Sequence, residues 1–446
     1  MVHIINRFYL IFALLLYTIL SYKMPQEYLL LNLYVLLYVF SYFIILYFNA
    51  NLEERYYNSA YLIVELFLYI SFFIFIENLL SYYYRGNFFL FSEADAISYH
   101  EAVSKLVQMP FSKAIEYYLN FMGFDDLGIV LILYPLYLIT PSNLMVNFFY
   151  LFVAIMTALS LFSLAKNFLS KRYAFLATVA YSLASFTLFF YASGLKESFM
   201  IMLIVVSYDF VYRFLKSNNI IYLLLAIIFM LLVILFRPAL AAMLVLSLAL
   251  GAMLSKKGGV FSKIFAILLF VFLFSFSGEI TKMIQSYTAG GFEALIYARE
   301  AQGMIKGSVL FSYFVNFLSQ TLGPLPTIFS SSNLVAMLYA PGLIYRVVLS
   351  VPFWLAIYFI YKKKESKLYP LIIFVLVEMG SLIFLIDGLE LRKAMPQMPF
   401  VFLIAFWFLD KYDSNEIVIS NKKIFQERFM IALVVLFAMM LYWNFR

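Results

Sequence analysis

From Tyr28 to Asn49 the chain carries no Asp, Glu, Lys or Arg, and the same holds from Ala239 to Ser255. Nothing constrains the fold more. About 20 mostly apolar residues make a helix long enough to cross the hydrocarbon core of a bilayer. Backbone inside lipid must satisfy its own N–H and C=O groups, and a continuous apolar run of this length does so as a helix. Reading the 446-residue sequence for such runs marks out thirteen spans, at 7–22, 28–49, 60–80, 144–165, 173–192, 198–215, 220–236, 239–255, 263–277, 342–361, 368–386, 397–410 and 429–445. Composition agrees: 65% of residues are hydrophobic, 12% are charged and the mean hydropathy is +0.95. A water-soluble chain carries roughly 25% charged residues. The expected fold is an all-α polytopic membrane protein forming a single integral membrane domain over residues 1–446.

The stretch Leu127–Thr140 is apolar but short, contains Pro135 and ends at Pro141, so it reads as a half-helix or re-entrant element. The first apolar run is followed by Lys23, Met24 and Pro25 instead of a small-residue cleavage site, and reads as a retained span. With 127–140 not spanning and the N-terminus in the cytoplasm, the basic loops 166–172, 216–219, 255–259, 362–367 and 411–428 all fall inside. The outer face then receives two long loops, at about 81–143 and 278–341, and short turns at 194–197, 237–238 and 387–396.

Several chemistries are excluded. The chain has no cysteine and only His3 and His100, so thiolate metal sites, thiol nucleophiles and multi-histidine centres are absent. There is no glycine-rich phosphate loop, and the net charge of +7 is spread over short loops, which reports orientation in a membrane and no nucleic-acid partner.

Ionisable groups near a bilayer are costly, so those assigned to the outer face call for an explanation. The first outer loop contains Glu93, Asp95, Tyr99, His100 and Glu101 in a helical pattern, with Ser92-x-x-Asp95 as a capping box. Glu93 and His100, seven apart, share one face: either a surface cap, or a carboxylate and imidazole placed for general-base work. Asp125 and Asp126 continue the loop as solvated charges or a divalent-ion site. Lys196 and Glu197 either close a turn as an ion pair or leave Lys196 facing an anion. Arg237 sits in Phe236-Arg237-Pro238 between two apolar runs with almost no loop around it, and its guanidinium fork matches phosphate oxygens. Asp387, Glu390, Arg392 and Lys393 crowd one outer turn closed by Pro396, with Arg346 about a turn below the same surface. Arg299 and Lys306 lie in the second long loop, which also holds Gly290-Gly291 and Gly323-Pro-Leu-Pro326 as hinges. Arg237, Arg346, Arg392, Lys393 and Lys196 thus form a cationic ring facing an acidic loop of Glu93, Asp95 and His100. Cations suit a lipid-linked pyrophosphate and a base suits an incoming hydroxyl.

These residues also carry a resemblance. Asp95-x-x-x-Tyr99-His100-x-Ala102, Tyr134-Pro135-Leu136 and Lys166-x-x-x-x-Lys171-Arg172 resemble membrane glycosyltransferases of the GT-C superfamily. The extra leading spans, the turns Gly194-Leu-Lys196-Glu197, Phe236-Arg237-Pro238 and Arg392-Lys393, and the Phe- and Tyr-rich composition look more like Wzy-type O-antigen and exopolysaccharide repeat-unit polymerases. The clean acidic pair of many single-sugar GT-C enzymes is not obvious, although Glu93 and Asp95 can stand in for it. The resemblance implies polymerisation of undecaprenyl-pyrophosphate-linked repeat units at the outer face of a bacterial cytoplasmic membrane, with arginine-held pyrophosphate and no obligatory metal. It implies as site residues His100, Glu93 and Asp95 for catalysis, and Arg237, Arg346, Arg392, Lys393, Lys196 and Arg299 for the pyrophosphate. The implied partners are lipid-linked glycan donor and acceptor, membrane lipid and a chain-length-regulating co-polymerase. A transferase adding one sugar from a polyprenyl-phosphate donor, and a flippase for the same glycan, are the competing functions.

The loop alternation predicts that Lys363 is cytoplasmic and Gly290 outside. In this cysteine-free chain, Lys363→Cys should react with an impermeant thiol reagent only from the cytoplasmic side and Gly290→Cys only from the other. Labelling of Gly290→Cys from the cytoplasm alone would overturn the topology.

Overall fold

The computed structural model describes residues 1–21, 24–88, 95–122, 127–254, 267, 291–305, 307–328, 335–417 and 419–445. Glu93, Asp125, Asp126, Gly290, Lys306 and the expected span at 263–277 lie outside the described residues. Among those described, the regular elements are all helical. They are α1 (Val2–Leu20), α2 (Leu29–Ala50), α3 (Ser59–Arg85), α4 (Asp95–Leu106), α5 (Phe111–Met122), α6 (Leu127–Ile139), α7 (Asn143–Ala165), α8 (Lys171–Ser182), α9 (Ser185–Ala192) and α10 (Lys196–Ser217). They continue as α11 (Ile220–Ile234), α12 (Pro238–Leu254), α13 (Phe292–Ala301), α14 (Val309–Leu322), α15 (Val335–Val348), α16 (Ser350–Lys363), α17 (Tyr369–Phe384), α18 (Leu391–Ala394), α19 (Met398–Asp413) and α20 (Lys422–Phe445), with short 3-10 turns between some of them.

Among the described residues, eight helices are long and apolar enough to cross a membrane, counting α15 and α16 as one, and there are nine if α8 and α9, bent by 55° at their junction, make one span. Four of the thirteen expected spans are not among these: 263–277 lies outside the described residues, and the other three form shorter helices. α11 and α12 have 15 and 17 residues and α19 has 16, so α11 reaches only about 22 Å at 1.5 Å per residue. The stretch expected as a half-helix forms the 13-residue α6, with Pro135 inside it.

The helices separate their surfaces as lipid-facing elements do. On α2, Leu29, Leu33, Leu37, Phe40 and Ile44 are exposed, while Leu31, Tyr34, Val35, Tyr38, Val39 and Tyr42 are buried. The three- and four-residue spacing puts each set on one face. Exposed Val64, Phe67, Leu68, Phe72 and Phe75 on α3, and Ile220, Ile221, Leu224, Ile228 and Leu231 on α11, extend the apolar exterior. The heart of the bundle is α8, α9, α10, α15 and α19, where nearly every side chain is buried.

Contacts group the loops by end. At one end the Met1 ammonium meets Asp413 at 3.1 Å, Asp410 accepts from Ser170 N and Oγ at 2.8 Å, Arg172 donates to Ala50 O, and Lys363 Nζ lies 2.7 Å from Glu416 O. Tyr212 reaches Lys367 O nearby. The basic loops 166–172, 362–367 and 411–417 therefore share one end. The turns at 194–197 and 387–397 meet at the other.

The bend between α8 and α9 lies between these ends. Two carbonyls at or near the break are capped by hydroxyls from α2: Tyr38 Oη lies 2.5 Å from Leu183 O, and Tyr42 Oη 2.6 Å from Ala180 O. Ser185 Oγ accepts from Gly342 N at 2.7 Å and donates to Tyr339 O at 2.9 Å, which fastens α15 to the break. A Cβ on Gly342 would stand 2.8 Å from Ser185 N. Gly342→Ala should therefore force backbone apart and lose about 1–3 kcal/mol of stability. Gly380→Ala on α17, where a Cβ meets nothing within 4 Å, should not. Thermal unfolding of the two variants in detergent, against the parent, checks this.

Candidate functional site

The loop that carries Asp95 and His100 folds as expected into a helix. On α4 the residues Ala96, Tyr99, His100, Val103 and Leu106 form the buried face, packed against α6. Tyr134 of α6 ties the end of the loop down by donating to Met109 O at 2.8 Å. This seats the His100 ring 5.4 Å from that of Tyr137. It also brings His100 to the turn between α9 and α10: a Cβ on Gly194 would lie 3.8 Å from His100 Nε2, and Tyr150 Oη donates to Gly194 O at 3.0 Å. Gly194 has φ +66°, a left-handed conformation that glycine adopts without strain.

Arg392 joins the pieces. Its Nε donates to Glu197 Oε1 at the start of α10, and its Nη1 to Asp95 Oδ2 at the start of α4. Glu197 is fully buried, whereas Asp95 is about a third exposed. Beside Arg392, Lys393 Nζ pairs with Asp387 at 3.0 Å and Glu390 at 2.9 Å. Arg299 of α13 pairs with Asp387 at 2.7 Å and donates to Leu385 O at 2.9 Å. The turn is held from below by α14, where Ser319 and Gln320 both donate to Gly388 O, at 2.6 and 2.7 Å, and Gln320 Oε1 accepts from Gln397 at 2.7 Å. Six expected site residues, Asp95, His100, Lys196, Arg299, Arg392 and Lys393, thus meet at one end of the bundle. Lys196 is buried there as the first residue of α10.

The cationic ring expected from the sequence takes a different form. Arg392, Lys393 and Arg299 are each committed to carboxylates, because cations removed from water need close anionic partners. The other two arginines sit elsewhere. Arg346 is buried in α15, donates to Leu322 O at 3.3 Å, lies 5.6 Å from the centroid of the Phe353 ring, and leaves Nε without a hydrogen bond. It makes no salt bridge with a described carboxylate. Arg237 is half-buried in the turn between α11 and α12, where Phe236 packs on Gly128 of α6 and Leu235 O accepts from Gly128 N at 2.9 Å. Its charge reaches Glu378 of α17, a carboxylate 1% exposed with neither oxygen hydrogen-bonded. Glu197 is the site residue that sequence reasoning missed, having read it as closing a turn with Lys196. Its signal was an acid directly ahead of an apolar run.

Electrostatics follow burial. Burial pushes the His100 imidazole down to about 4, which leaves it neutral at pH 7 and disfavours its protonated form. Burial and then the Glu197 carboxylate push the Tyr99 phenol up. Burial works against the charge on Arg392, but Glu197 and Asp95 outweigh it and hold its pKa above the usual arginine value. Among the described residues, no group of three or more Asp, Glu and His side chains is placed to hold a metal ion.

Compared with known proteins, the chain matches no protein-family model and no curated sequence.

The His100 shift has a signed consequence. Its ordinary value of 6.5 applies to the unfolded chain, so between pH 6.5 and about 4 the unfolded state binds the extra proton. Stability is fully present above pH 6.5 and falls as the pH drops toward 4, by at most about 3 kcal/mol. His100→Gln should flatten that part of the stability profile, measured as the thermal midpoint in detergent from pH 7 to 4.

Proposed function

We propose that this protein is a membrane glycosyltransferase that polymerises undecaprenyl-pyrophosphate-linked oligosaccharide repeat units, of the Wzy type within the GT-C superfamily. Its thirteen-span topology has the N-terminus and the basic end in the cytoplasm and the Arg392 end at the outer face of a bacterial cytoplasmic membrane. The observation that carries the reading is the convergence at one end of a helical bundle of a neutral buried imidazole, His100, with Arg392, Lys393, Arg299 and Lys196, and with Asp95, which lies 297 residues from its partner Arg392.

In this reading the acceptor hydroxyl attacks the anomeric carbon of the donor glycan. The bond from that carbon to the pyrophosphate oxygen breaks, and the hydroxyl proton passes to the His100 imidazole. Glu93 or Asp95 orients the imidazole or shares the proton. The departing lipid pyrophosphate is stabilised by Arg392, which exchanges the more exposed Asp95 for phosphate oxygens while Glu197 keeps hold of its Nε. Lys196, Lys393 and Arg299 complete the cationic lining, while Arg237 and Arg346 lie away from it. No metal is required, and a chain-length-regulating co-polymerase is the expected protein partner. Addition of a single sugar from a polyprenyl-phosphate donor uses the same groups.

A flippase is the second reading. It is favoured by the 55° break within the α8–α9 span and by buried Glu378, since discontinuous helices and intramembrane charges mark transport pathways.

Glycan extracted from a strain lacking the protein discriminates among these. A polymerase leaves single repeat units outside, a single-sugar transferase leaves no complete unit, and a flippase leaves units on the inner side. Complementation with His100→Ala should restore normal protein level but little polymer. Wild-type polymer length and amount from that variant would remove His100 as the base.

A further inference from the structure

Tyr99 carries a polar atom that its own packing does not explain. It is 4% exposed, on the face of α4 that it shares with Ala96, Val103 and Leu106 and that packs against α6. The ring of a phenylalanine would fill such a place. Instead a hydroxyl is buried there, and its Oη has no hydrogen-bond partner. A buried donor left unpaired is costly and calls for an explanation. Asp95 and Tyr99 stand one helical turn apart on α4, and Asp95 accepts from Arg392 Nη1. The phenol accordingly lies in the field of Glu197, Arg392 and Asp95. None of the three takes its proton into a hydrogen bond. A guanidinium has donors only. Glu197 Oε1 and Asp95 Oδ2 are occupied by Arg392, and Glu197 Oε2 is itself without a partner.

The cations around it are already matched: Arg392 to Asp95 and Glu197, Lys393 to Asp387 and Glu390, Arg299 to Asp387. A phenolic O–H differs from them. It is neutral, so it adds a donor to the site without needing a carboxylate of its own. The missing acceptor has to suit Arg392 as well, and a phosphate does, because it presents several oxygens to several donors at once. We propose that Tyr99 is a catalytic residue whose hydroxyl donates a hydrogen bond to the pyrophosphate leaving the donor glycan, where that group takes the place of Asp95 on Arg392. This rests on the glycosyl-transfer reading above and adds a leaving-group contact to it. As the bond from the anomeric carbon to the pyrophosphate oxygen breaks, its electron pair stays on that oxygen. Tyr99 stabilises the growing charge and keeps its own proton, which burial and the Glu197 carboxylate hold on the phenol.

The test uses the full-length protein purified in detergent, inorganic pyrophosphate as the probe and the thermal midpoint as the readout, since a ligand of the folded state raises it. Pyrophosphate should raise the midpoint of the parent. Tyr99→Phe, which keeps the ring and removes one oxygen, should weaken the apparent Kd about tenfold. Tyr57→Phe, which removes a buried hydroxyl bonded to Asn49 O, should leave the Kd unchanged. With the lipid-linked repeat unit extracted from a strain lacking the protein as substrate, Tyr99→Phe should also slow chain extension about tenfold or more. An unchanged Kd for Tyr99→Phe, or no midpoint rise in the parent, would overturn the proposal and leave the polymerase reading standing. If Tyr99→Phe fails to accumulate, replacing Tyr99 alone by 3-fluorotyrosine decides, since ring and hydroxyl both remain. Its fluorine resonance should shift when pyrophosphate is added, and a resonance that does not move overturns the proposal. Full-length polymer from the deletion strain itself would overturn the polymerase reading, and the catalytic role of Tyr99 with it, whatever the Kd.

Discussion

A guanidinium taken out of water has to find carboxylates, and Arg392 finds two. Asp95 stands at the first residue of a loop helix and Glu197 at the second residue of a span, 102 positions apart in sequence and both remote from Arg392. In so apolar a chain few polar contacts are available to set the relative positions of loops, and hydrophobic burial alone is non-directional. The double ion pair supplies direction. It aligns α4, the start of α10 and the turn before α19, and the contacts of α13 and α14 then hold that turn from its other side.

The same economy explains the tyrosines. Inside lipid, a broken helix exposes carbonyls that have no water to turn to. Tyr38 and Tyr42 reach from α2 to carbonyls at the α8–α9 break, and Ser185 exchanges hydrogen bonds with α15. A tyrosine brings a large apolar body with one polar tip, so it can bridge helices across a packed core and still satisfy a single backbone group.

Much of this was legible in the sequence, for a physical reason. Where charge is expensive, each charged residue is informative, so Asp95, His100, Arg392 and Lys393 could be singled out one by one. Their pairing was not legible. Lys196 next to Glu197 suggested a local ion pair, but the partner of Glu197 is 195 residues away, and no pattern in a single sequence reports that distance. Arg346 was expected among the same outer cations and instead packs against the end of α14, because depth along a helix depends on how its neighbours tilt. The short α6 was foreseen from its length and from Pro135. The break at Leu183 and Ala184 was not, since neither proline nor glycine marks it and its stabilising hydroxyls come from another helix. Helices α11, α12 and α19 match the expected stretches to within three residues at each end, but they are shorter than the length that crosses a bilayer unaided.

The 55° break also divides labour along the bundle. A continuous helix behaves as a rod, so a tilt imposed at one end appears at the other. Here α8 is anchored among the basic loops through Ser170, Arg172 and Tyr173, while α9 leads directly into the turn that carries Lys196 and Glu197. With a joint between them, a tilt at one end of the bundle is not passed rigidly to the other. The half that leads to Glu197 is then a separate eight-residue helix, and the other half is moored among the basic loops.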